Sequence, residues 1–243
     1  MVGTRIKFER RYILKGAKDM LYMLDTADLQ EIKRAFEIYP LSGVTTNPTI
    51  ISQTGEDVFR HLNKIREIIG LDTMLHIQVT GKTKEDMLRE AKMIKERVLG
   101  NIYIKVPANQ DGIAAMKKMK GEGYNITATA VYTLNQALLA AAAGADFVAP
   151  YVNRMELAGM DSKKILTEMV TGLKGYGYKT KILAASFKKV EQVYNVALTL
   201  ADSITVKGDI LDLILQHELT DRAVEKFHDH WIDVYGDRLL TDM

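Results

Sequence analysis

From Met20 onward, short apolar runs rich in β-branched residues alternate with longer segments of helical periodicity. The runs predict eight strands, which are Leu21–Asp25, Gly43–Thr46, Met74–Thr80, Ile102–Val106, Asn125–Thr129, Phe147–Pro150, Lys181–Ala185 and Ser203–Val206. The segments between them predict helices over Leu29–Ile38, Val58–Ile69, Lys84–Leu99, Gly112–Lys120, Leu134–Ala143, Lys163–Leu173 and Val190–Leu200. Regular alternation of strand and helix with short links predicts parallel pairing through right-handed crossovers.

Eight such units in about 220 residues fit a closed (β/α)₈ TIM barrel, which typically needs about 250 residues. The alternative is an open, doubly wound sheet, which usually has fewer strands and often a glycine-rich turn after the first one. Here Asp25-Thr26-Ala27-Asp28 follows the first strand, and it contains no glycine. The sequence therefore favours the barrel.

Helix starts and one extra helix refine this prediction. Asp28 and Thr83 stand where a side-chain acceptor caps the first free amide groups of a helix. An additional C-terminal helix is expected over Thr220–Tyr235, where apolar residues recur at helical spacing. Those residues are Val224, Phe227, Trp231 and Val234. The stripe has two interpretations: the helix caps the barrel, or it packs against a neighbouring subunit.

Charge is distributed unevenly along the chain. Its net charge is +2, but residues 1–19 hold six basic residues against Glu9 and Asp19, which leaves −2 for residues 20–243. We therefore expect a basic N-terminal extension over 1–19, one catalytic domain over 20–243, and no nucleic-acid-binding face. The chain contains no cysteine, which excludes thiolate nucleophiles and disulfides. No apolar run is long enough to span a membrane, so a cytoplasmic protein is expected.

Polar residues stand at the ends of seven consecutive predicted strands. In a TIM barrel the strand ends meet at the catalytic face. The set comprises Asp25, Thr45, Thr46, Asn47, Gln78, Lys105, Thr127, Thr129, Tyr151, Asn153, Arg154, Ser186 and Lys188. Several of them lie inside the strand patterns, which points to a polar interior at one mouth of the barrel.

Lys105 is the most informative member of this set. It lies inside Ile102–Val106, and central parallel strands are buried on both faces. A buried ammonium loses hydration, which lowers its pKa and favours a neutral amine that can form a Schiff base with a carbonyl carbon. The alternative is a lysine that only forms an ion pair with Asp25 across the barrel.

Schiff-base chemistry also requires groups that move protons. Asp25 is the carboxylate at a strand end in the first half of the chain, and Tyr151 is a candidate acid/base that could hold a water with Gln78 and Thr129. The iminium itself is the electron sink, so neither a metal nor a cofactor is expected. His228 and His230 diverge on a helix and do not suggest a metal site.

A second group of residues suits a phosphate. Arg154, Ser186 and Lys188 combine a planar guanidinium, a hydroxyl and a point charge. The alternative for Arg154 is an ordinary surface salt bridge.

Five motifs together resemble the small transaldolase and fructose-6-phosphate aldolase family. They are Leu24-Asp25-Thr26-Ala27, Gly43-Val44-Thr45-Thr46-Asn47-Pro48-Thr49-Ile50, Ile104-Lys105-Val106-Pro107, Ala149-Pro150-Tyr151-Val152-Asn153-Arg154 and Leu183-Ala184-Ala185-Ser186-Phe187-Lys188. The resemblance spans Met20 to the C-terminus. It implies a (β/α)₈ barrel and a metal-independent class I aldolase in which Lys105 forms the Schiff base.

The resemblance also implies roles for other positions. Asp25 is similar to the family's acid/base aspartate, and Thr129 to the threonine that helps to hold the catalytic water. Asn47 is similar to the asparagine that contacts the bound dihydroxyacetone unit, and the neighbouring Thr46 is also expected to bind substrate. Arg154 and Ser186 resemble the phosphate-binding pair, and Lys188 stands where many transaldolases have arginine.

Two positions separate the branches of this family. Transaldolases typically have glutamate in the third strand and phenylalanine in the sixth-strand motif, whereas this chain has Gln78 and Tyr151, as the aldolases do. The expected reaction is reversible cleavage of fructose 6-phosphate into dihydroxyacetone and glyceraldehyde 3-phosphate. Transaldolase activity and a non-catalytic sugar-phosphate-binding barrel remain alternatives. By resemblance, the protein is also expected to form a homo-oligomer, a pentamer or decamer.

Overall fold

The structure is a computed structural model that describes residues 19–243. Eight parallel strands close into a barrel in which each strand pairs with its neighbours in chain order, and the eighth pairs with the first. The strands are β1 (Leu21–Asp25), β2 (Leu41–Thr45), β3 (Met74–Gln78), β4 (Ile102–Pro107), β5 (Asn125–Val131), β6 (Phe147–Pro150), β7 (Lys181–Ala184) and β8 (Ser203–Val206). The (β/α)₈ prediction is confirmed. The expected extension lies outside the described residues except for Asp19.

Helices connect the strands and surround the barrel. They are α1 (Leu29–Ile38), α2 (Pro48–Ser52), α3 (Val58–Ile69), α4 (Lys84–Arg97), α5 (Gln110–Gly121), α6 (Leu134–Ala142), α7 (Val152–Leu157), α8 (Ser162–Gly175), α9 (Val190–Ala197), α10 (Gly208–Leu215) and α11 (Glu218–Tyr235), and a 3₁₀ turn covers Leu240–Asp242. The short helices α2, α7 and α10 directly follow strands and were not among the predicted helices.

The expected caps form as predicted. Asp28 Oδ1 accepts hydrogen bonds from the main-chain amides of Gln30 and Glu31, at 2.8 and 3.0 Å. Thr83 Oγ1 accepts one from the amide of Asp86 at 3.2 Å. Each bond satisfies an amide that has no partner within its own helix, and so fixes where α1 and α4 begin.

The two faces of the strands build two different interiors. Outward-facing residues such as Leu24, Val44 and Ile104 are fully or almost fully buried against the helices. Inward-facing residues form a separate apolar cluster around Met23 and Phe147. Side chains alternate between the two faces of a strand, so the same strands supply both the core and the barrel interior.

The inward face becomes polar towards the C-terminal ends of the strands. Thr45, His76, Lys105, Thr127 and Thr205 are all buried. In the β-ladder, Lys105 pairs with Gln78 on one side and with Thr127 on the other. Closure of the barrel therefore brings polar residues from distant parts of the sequence to one end.

The C-terminal helix α11 matches the predicted helix but does not cap the barrel. None of its residues is buried, and Val224, Phe227 and Val234 are well exposed. The Trp231 indole donates to the main-chain carbonyl of Arg238 at 2.6 Å. The interpretation of α11 as a cap is wrong for the described chain. In the range 19–243 no helix is long and apolar enough to cross a membrane.

Candidate active site

Lys105 is a buried lysine in the polar end of the barrel. Its side chain is only 4% exposed, and its Nζ donates a hydrogen bond to the main-chain carbonyl of Thr46 at 2.7 Å. Burial lowers the pKa of Lys105, and the negative charge of Asp25 partly opposes that effect. Across residues 19–243, no ion pair joins Lys105 directly to Asp25. The expected alternative, an ion pair with Asp25, is therefore wrong.

Asp25 ends β1 and is oriented by two buried threonines. Thr45 Oγ1 donates to Asp25 Oδ1 at 2.7 Å and lies 2.7 Å from Thr205 Oγ1. A hydroxyl has one proton to donate, so Thr205 donates to Thr45 while Thr45 donates to the carboxylate. The order of donation fixes one carboxylate oxygen of Asp25, a residue that also lines a cavity at this end of the barrel.

Tyr151 and Thr129 form a hydroxyl pair on the neighbouring side of the mouth. Their oxygens lie 2.8 Å apart, and the Tyr132 ring packs edge-on against Tyr151 at 5.9 Å between centroids. Burial raises the pKa of Tyr151, although the bond with Thr129 opposes the shift. Tyr151 is therefore protonated at neutral pH and can act as a proton donor.

Gln78 ends β3 directly beside Lys105 in the ladder. Its Oε1 is buried and has no hydrogen-bond partner in the part of the chain that the structure describes. A buried amide oxygen without a partner is costly, so such an atom in a site is well suited to accept a bond from a hydroxyl or a water.

Thr46 and Asn47 connect β2 to α2. The Thr46 hydroxyl donates to the main-chain carbonyl of His76 at 3.1 Å, and its own carbonyl receives the Lys105 amine. Asn47 caps α2, because its Oδ1 accepts from the amide of Ile50 at 3.1 Å. Pro48 occupies the first turn of that helix, where it needs no amide donor. The cap holds the side chain of Asn47 at the rim, close to the end of β2.

Arg154, Ser186 and Lys188 follow the adjacent strands β6 and β7 on the opposite rim. The amide of Asn153 donates to the carbonyl of Ser186 at 2.8 Å, which joins the start of α7 to the loop after β7. The Arg154 guanidinium is exposed and lies 4.8 Å from the centroid of the Tyr151 ring. Lys188 is also exposed. Arg154 makes no ion pair in the described range, so the alternative of an ordinary surface salt bridge does not form.

The structure thus brings every predicted site residue to the C-terminal end of the barrel. A cavity of about 280 Å³ opens there beside Asp25. Thr26, Glu31, Ile50, Gln53, Lys207 and Asp209 complete its lining. Among the described residues, no cluster of three histidine or carboxylate side chains could hold a metal ion.

Comparison with known proteins agrees with this geometry. The profile of the Transaldolase/Fructose-6-phosphate aldolase family matches residues 22–237, which is most of the chain. The chain belongs to this family. It is also similar to a probable fructose-6-phosphate aldolase of Streptococcus pneumoniae (strain ATCC 700669 / Spain 23F-1), with 41% identity over 222 residues that cover 91% of this chain and all of that protein.

The Transaldolase/Fructose-6-phosphate aldolase profile covers all eight strands except Leu21, the first residue of β1. The sequence motifs alone did not point to every residue that shapes the site. Thr205 orients Asp25 through Thr45. The sequence feature that could have indicated this residue is the polar residue at every second position of the buried strand β8. His76 is not among the candidate residues at the strand ends; it is fully buried, and its Nδ1 lies 2.9 Å from Thr127 Oγ1. Which partner each buried polar residue meets depends on barrel closure, which the sequence does not specify directly.

Proposed function

We propose that this member of the family is a class I aldolase that reversibly cleaves fructose 6-phosphate to dihydroxyacetone and glyceraldehyde 3-phosphate through an imine on Lys105. The observation that carries the proposal is the buried Lys105 amine, which faces a neutral carbonyl acceptor instead of a carboxylate. Such an amine loses its proton more readily than an exposed lysine, and the neutral amine is the nucleophile. The name of the streptococcal relative supports the same activity.

The reaction begins with attack of the neutral Lys105 nitrogen on the C2 carbonyl carbon of the ketose. The resulting carbinolamine loses water and becomes an iminium, for which Tyr151 supplies the proton. The Asp25 carboxylate then accepts the proton of the C4 hydroxyl, the C3–C4 bond breaks, and its electron pair moves into the iminium to give an enamine. The proton on Asp25 then passes through water to the Tyr151 phenolate, and the phenol protonates the enamine carbon. As water hydrolyses the iminium it returns a proton to Tyr151, which releases dihydroxyacetone and restores the neutral amine.

Tyr151, Thr129 and Gln78 carry the polar groups that suit the proton transfers. Tyr151 and Thr129 are within hydrogen-bond distance of each other, and the buried Gln78 oxygen has unused acceptor capacity. We assign these three residues to holding a catalytic water, with Tyr151 as the acid that protonates the enamine. Burial keeps the phenol protonated at neutral pH.

The phosphate of the substrate is assigned to Arg154, Ser186 and Lys188. Two cations with a hydroxyl match a phosphate dianion, and the guanidinium can form two parallel hydrogen bonds to it. On the other side of the mouth, Asn47 with Thr46 is assigned to the dihydroxyacetone end. The capped Asn47 side chain is held by α2, so it would meet the substrate with little loss of rotamer freedom.

Transaldolase activity is the second candidate, because the family contains both enzymes. Gln78 and Tyr151 favour the aldolase, since a phenol can protonate and release the enamine. Measuring dihydroxyacetone release from fructose 6-phosphate with and without erythrose 4-phosphate separates the two. Release without the acceptor supports the aldolase, and release only in its presence supports the transaldolase. Binding of the sugar phosphate without imine formation would instead support a non-catalytic barrel.

We further propose that residues 20–243 act as one catalytic domain of a cytoplasmic homo-oligomer, a pentamer or decamer. The exposed apolar residues of α11 support assembly, because Phe227 is 71% exposed in the single chain and such residues are usually covered. Light scattering at micromolar concentration tests this. A monomer would contradict it.

A further inference from the structure

His76 is a fully buried titratable group that the mechanism above does not use. It lies on β3, two residues before Gln78, and is 0% exposed. Its ring stacks on Tyr103 with centroids 4.6 Å apart, and it meets the edge of Phe147 at 5.3 Å. Tyr103 and Phe147 also pack edge-on against each other. We call these three rings the aromatic floor, because His76 and Tyr103 lie two residues before Gln78 and Lys105 on β3 and β4, one inward position below them.

A histidine is an expensive choice for such a position. Desolvation of a polar ring costs free energy unless its nitrogens are hydrogen-bonded, whereas phenylalanine or leucine would pack there without that cost. The Nδ1 atom of His76 is satisfied by Thr127, but its Nε2 has no partner within residues 19–243. The imidazole therefore calls for a reason other than packing.

The proton of the neutral ring can be assigned from its bonds. The bond to His76 is the one hydrogen bond of the Thr127 hydroxyl in the described part of the chain. If Thr127 donates to Nδ1, the Nε2–H group is the one group of the pair that lacks a partner. In the opposite tautomer Nδ1–H donates to Thr127, and both the Nε2 acceptor and the Thr127 hydroxyl proton lack a partner. Both burial and the charge of Lys105 lower the pKa of His76 well below its ordinary value, so the ring is neutral. The proton is assigned to Nε2.

His76 contacts both structural elements that flank the Lys105 side chain. Through its side chain it meets Thr127, which is the partner of Lys105 in the β4–β5 ladder. Through its main-chain carbonyl it accepts bonds from the amide and hydroxyl of Thr46, at 2.9 and 3.1 Å. Thr46 is the residue whose carbonyl holds the Lys105 amine.

We propose that His76 is a positioning residue for Lys105, a neutral polar support beneath the amine that fixes its geometry without adding positive charge near the iminium. The inference rests on the proposed function in one respect: the iminium is the Schiff-base intermediate that the proposed aldolase forms on Lys105. A protonated imidazole in this position would repel the cationic intermediate, and an apolar ring would remove the partner of Thr127. A neutral imidazole avoids both.

Charged and titratable groups around the ring are few. From β4 it faces Lys105 and Tyr103, while β2, β5 and β6 present the neutral side chains of Thr45, Thr127 and Phe147. Asp25 acts on Lys105 and is not among the groups that shift His76. Lys105 is thus the charged group to which His76 responds.

The first test compares the pH dependence of kcat/KM in three variants. In His76→Phe a hydrocarbon ring replaces the polar imidazole, so the pKa of Lys105 should fall and the acid limb of the pH profile of kcat/KM should move to lower pH. The value of kcat/KM should also fall on the order of tenfold. His76→Asn keeps an acceptor for Thr127 and should restore the limb and part of the rate. Tyr103→Phe is the matched control, since it keeps the aromatic floor and should not move the limb. An unchanged limb and rate in folded His76→Phe would overturn the proposal.

The second test depends neither on turnover nor on the folding of the His76 variants. The ¹⁵N shifts of the His76 imidazole are followed against pH in the wild-type protein and in Lys105→Met. The expected result is a neutral Nε2–H ring in the wild type, with a titration midpoint that moves upward when the lysine charge is removed. A cationic ring, or a midpoint unaffected by the substitution, would contradict the proposal. Failure of the wild type to trap a ketone would count against the aldolase assignment alone.

Discussion

The amine of Lys105 lies 2.7 Å from the main-chain carbonyl oxygen of Thr46, and both groups are buried. A carbonyl fixes the position of an ammonium without neutralising its charge, so burial still favours loss of the proton. A carboxylate at the same distance would have stabilised the charged form. The contact therefore orients the nucleophile while its pKa stays lowered.

The first prediction concerns the pH dependence of imine formation. Because burial lowers the pKa of Lys105, trapping with dihydroxyacetone and borohydride should increase through a midpoint below 10.5, the ordinary value for lysine. Asp25 raises this pKa, so Asp25→Asn should shift the midpoint to lower pH. Cleavage should fall about 10²- to 10⁴-fold in the same variant, since the base is lost. Asp209→Asn, at the same cavity, should not shift the midpoint. An upward shift in Asp25→Asn would contradict the account.

The second prediction concerns Tyr151. Tyr151→Phe removes the hydroxyl that pairs with Thr129 and should slow release of dihydroxyacetone by about 10²-fold, as expected for loss of an acid/base group. Transfer to erythrose 4-phosphate should become a larger fraction of turnover. Tyr132→Phe keeps the ring that packs on Tyr151 and is the control. Equal losses in the two variants would indicate a packing effect instead.

The third prediction concerns the phosphate. Arg154→Gln should raise KM for fructose 6-phosphate about 10- to 100-fold, because hydrogen bonds between charged groups contribute about 1.5–3 kcal/mol. In the synthetic direction, the reaction of dihydroxyacetone with unphosphorylated glyceraldehyde should change little. Equal effects on phosphorylated and unphosphorylated aldehydes would show that Arg154 does not bind phosphate.

The fourth prediction concerns stability and uses two glycines of α5. A Cβ added at Gly112 would lie 1.8 Å from the carbonyl oxygen of Pro107, at the end of β4, whereas one at Gly121 meets nothing within 4 Å. Gly112→Ala should lower the free energy of unfolding by about 1–3 kcal/mol through overpacking. Gly121→Ala should be neutral or stabilising by up to about 1 kcal/mol. Urea unfolding measures both, and equal values would contradict the predicted close packing.

The eight strands and the main helices follow from hydrophobic periodicity, because each strand pattern is local and strong. The short helix α2 does not follow from periodicity, although Asn47 is its N-terminal cap and Pro48 lies in its first turn. Those residues were interpreted only as part of a binding motif, and five residues are too few to show a helical period.

The polar contacts inside the barrel could be predicted only in part. The sequence indicates that Lys105 is buried, because it interrupts an apolar strand. It does not indicate that Thr46 receives the amine or that Thr205 orients Asp25 through Thr45, since those pairs come from strands far apart in sequence. Only closure of β8 onto β1 brings Thr205 to that position.

Covalent trapping tests the central claim most directly. The protein is incubated with dihydroxyacetone and borohydride, digested, and the modified lysine is located by mass spectrometry, with Lys105→Met and Lys207→Met as matched variants. We expect the reduced adduct on Lys105 in the wild type and in Lys207→Met, and no adduct in Lys105→Met. An adduct on another lysine, or trapping that persists in Lys105→Met, would contradict the assignment of Lys105 as the nucleophile.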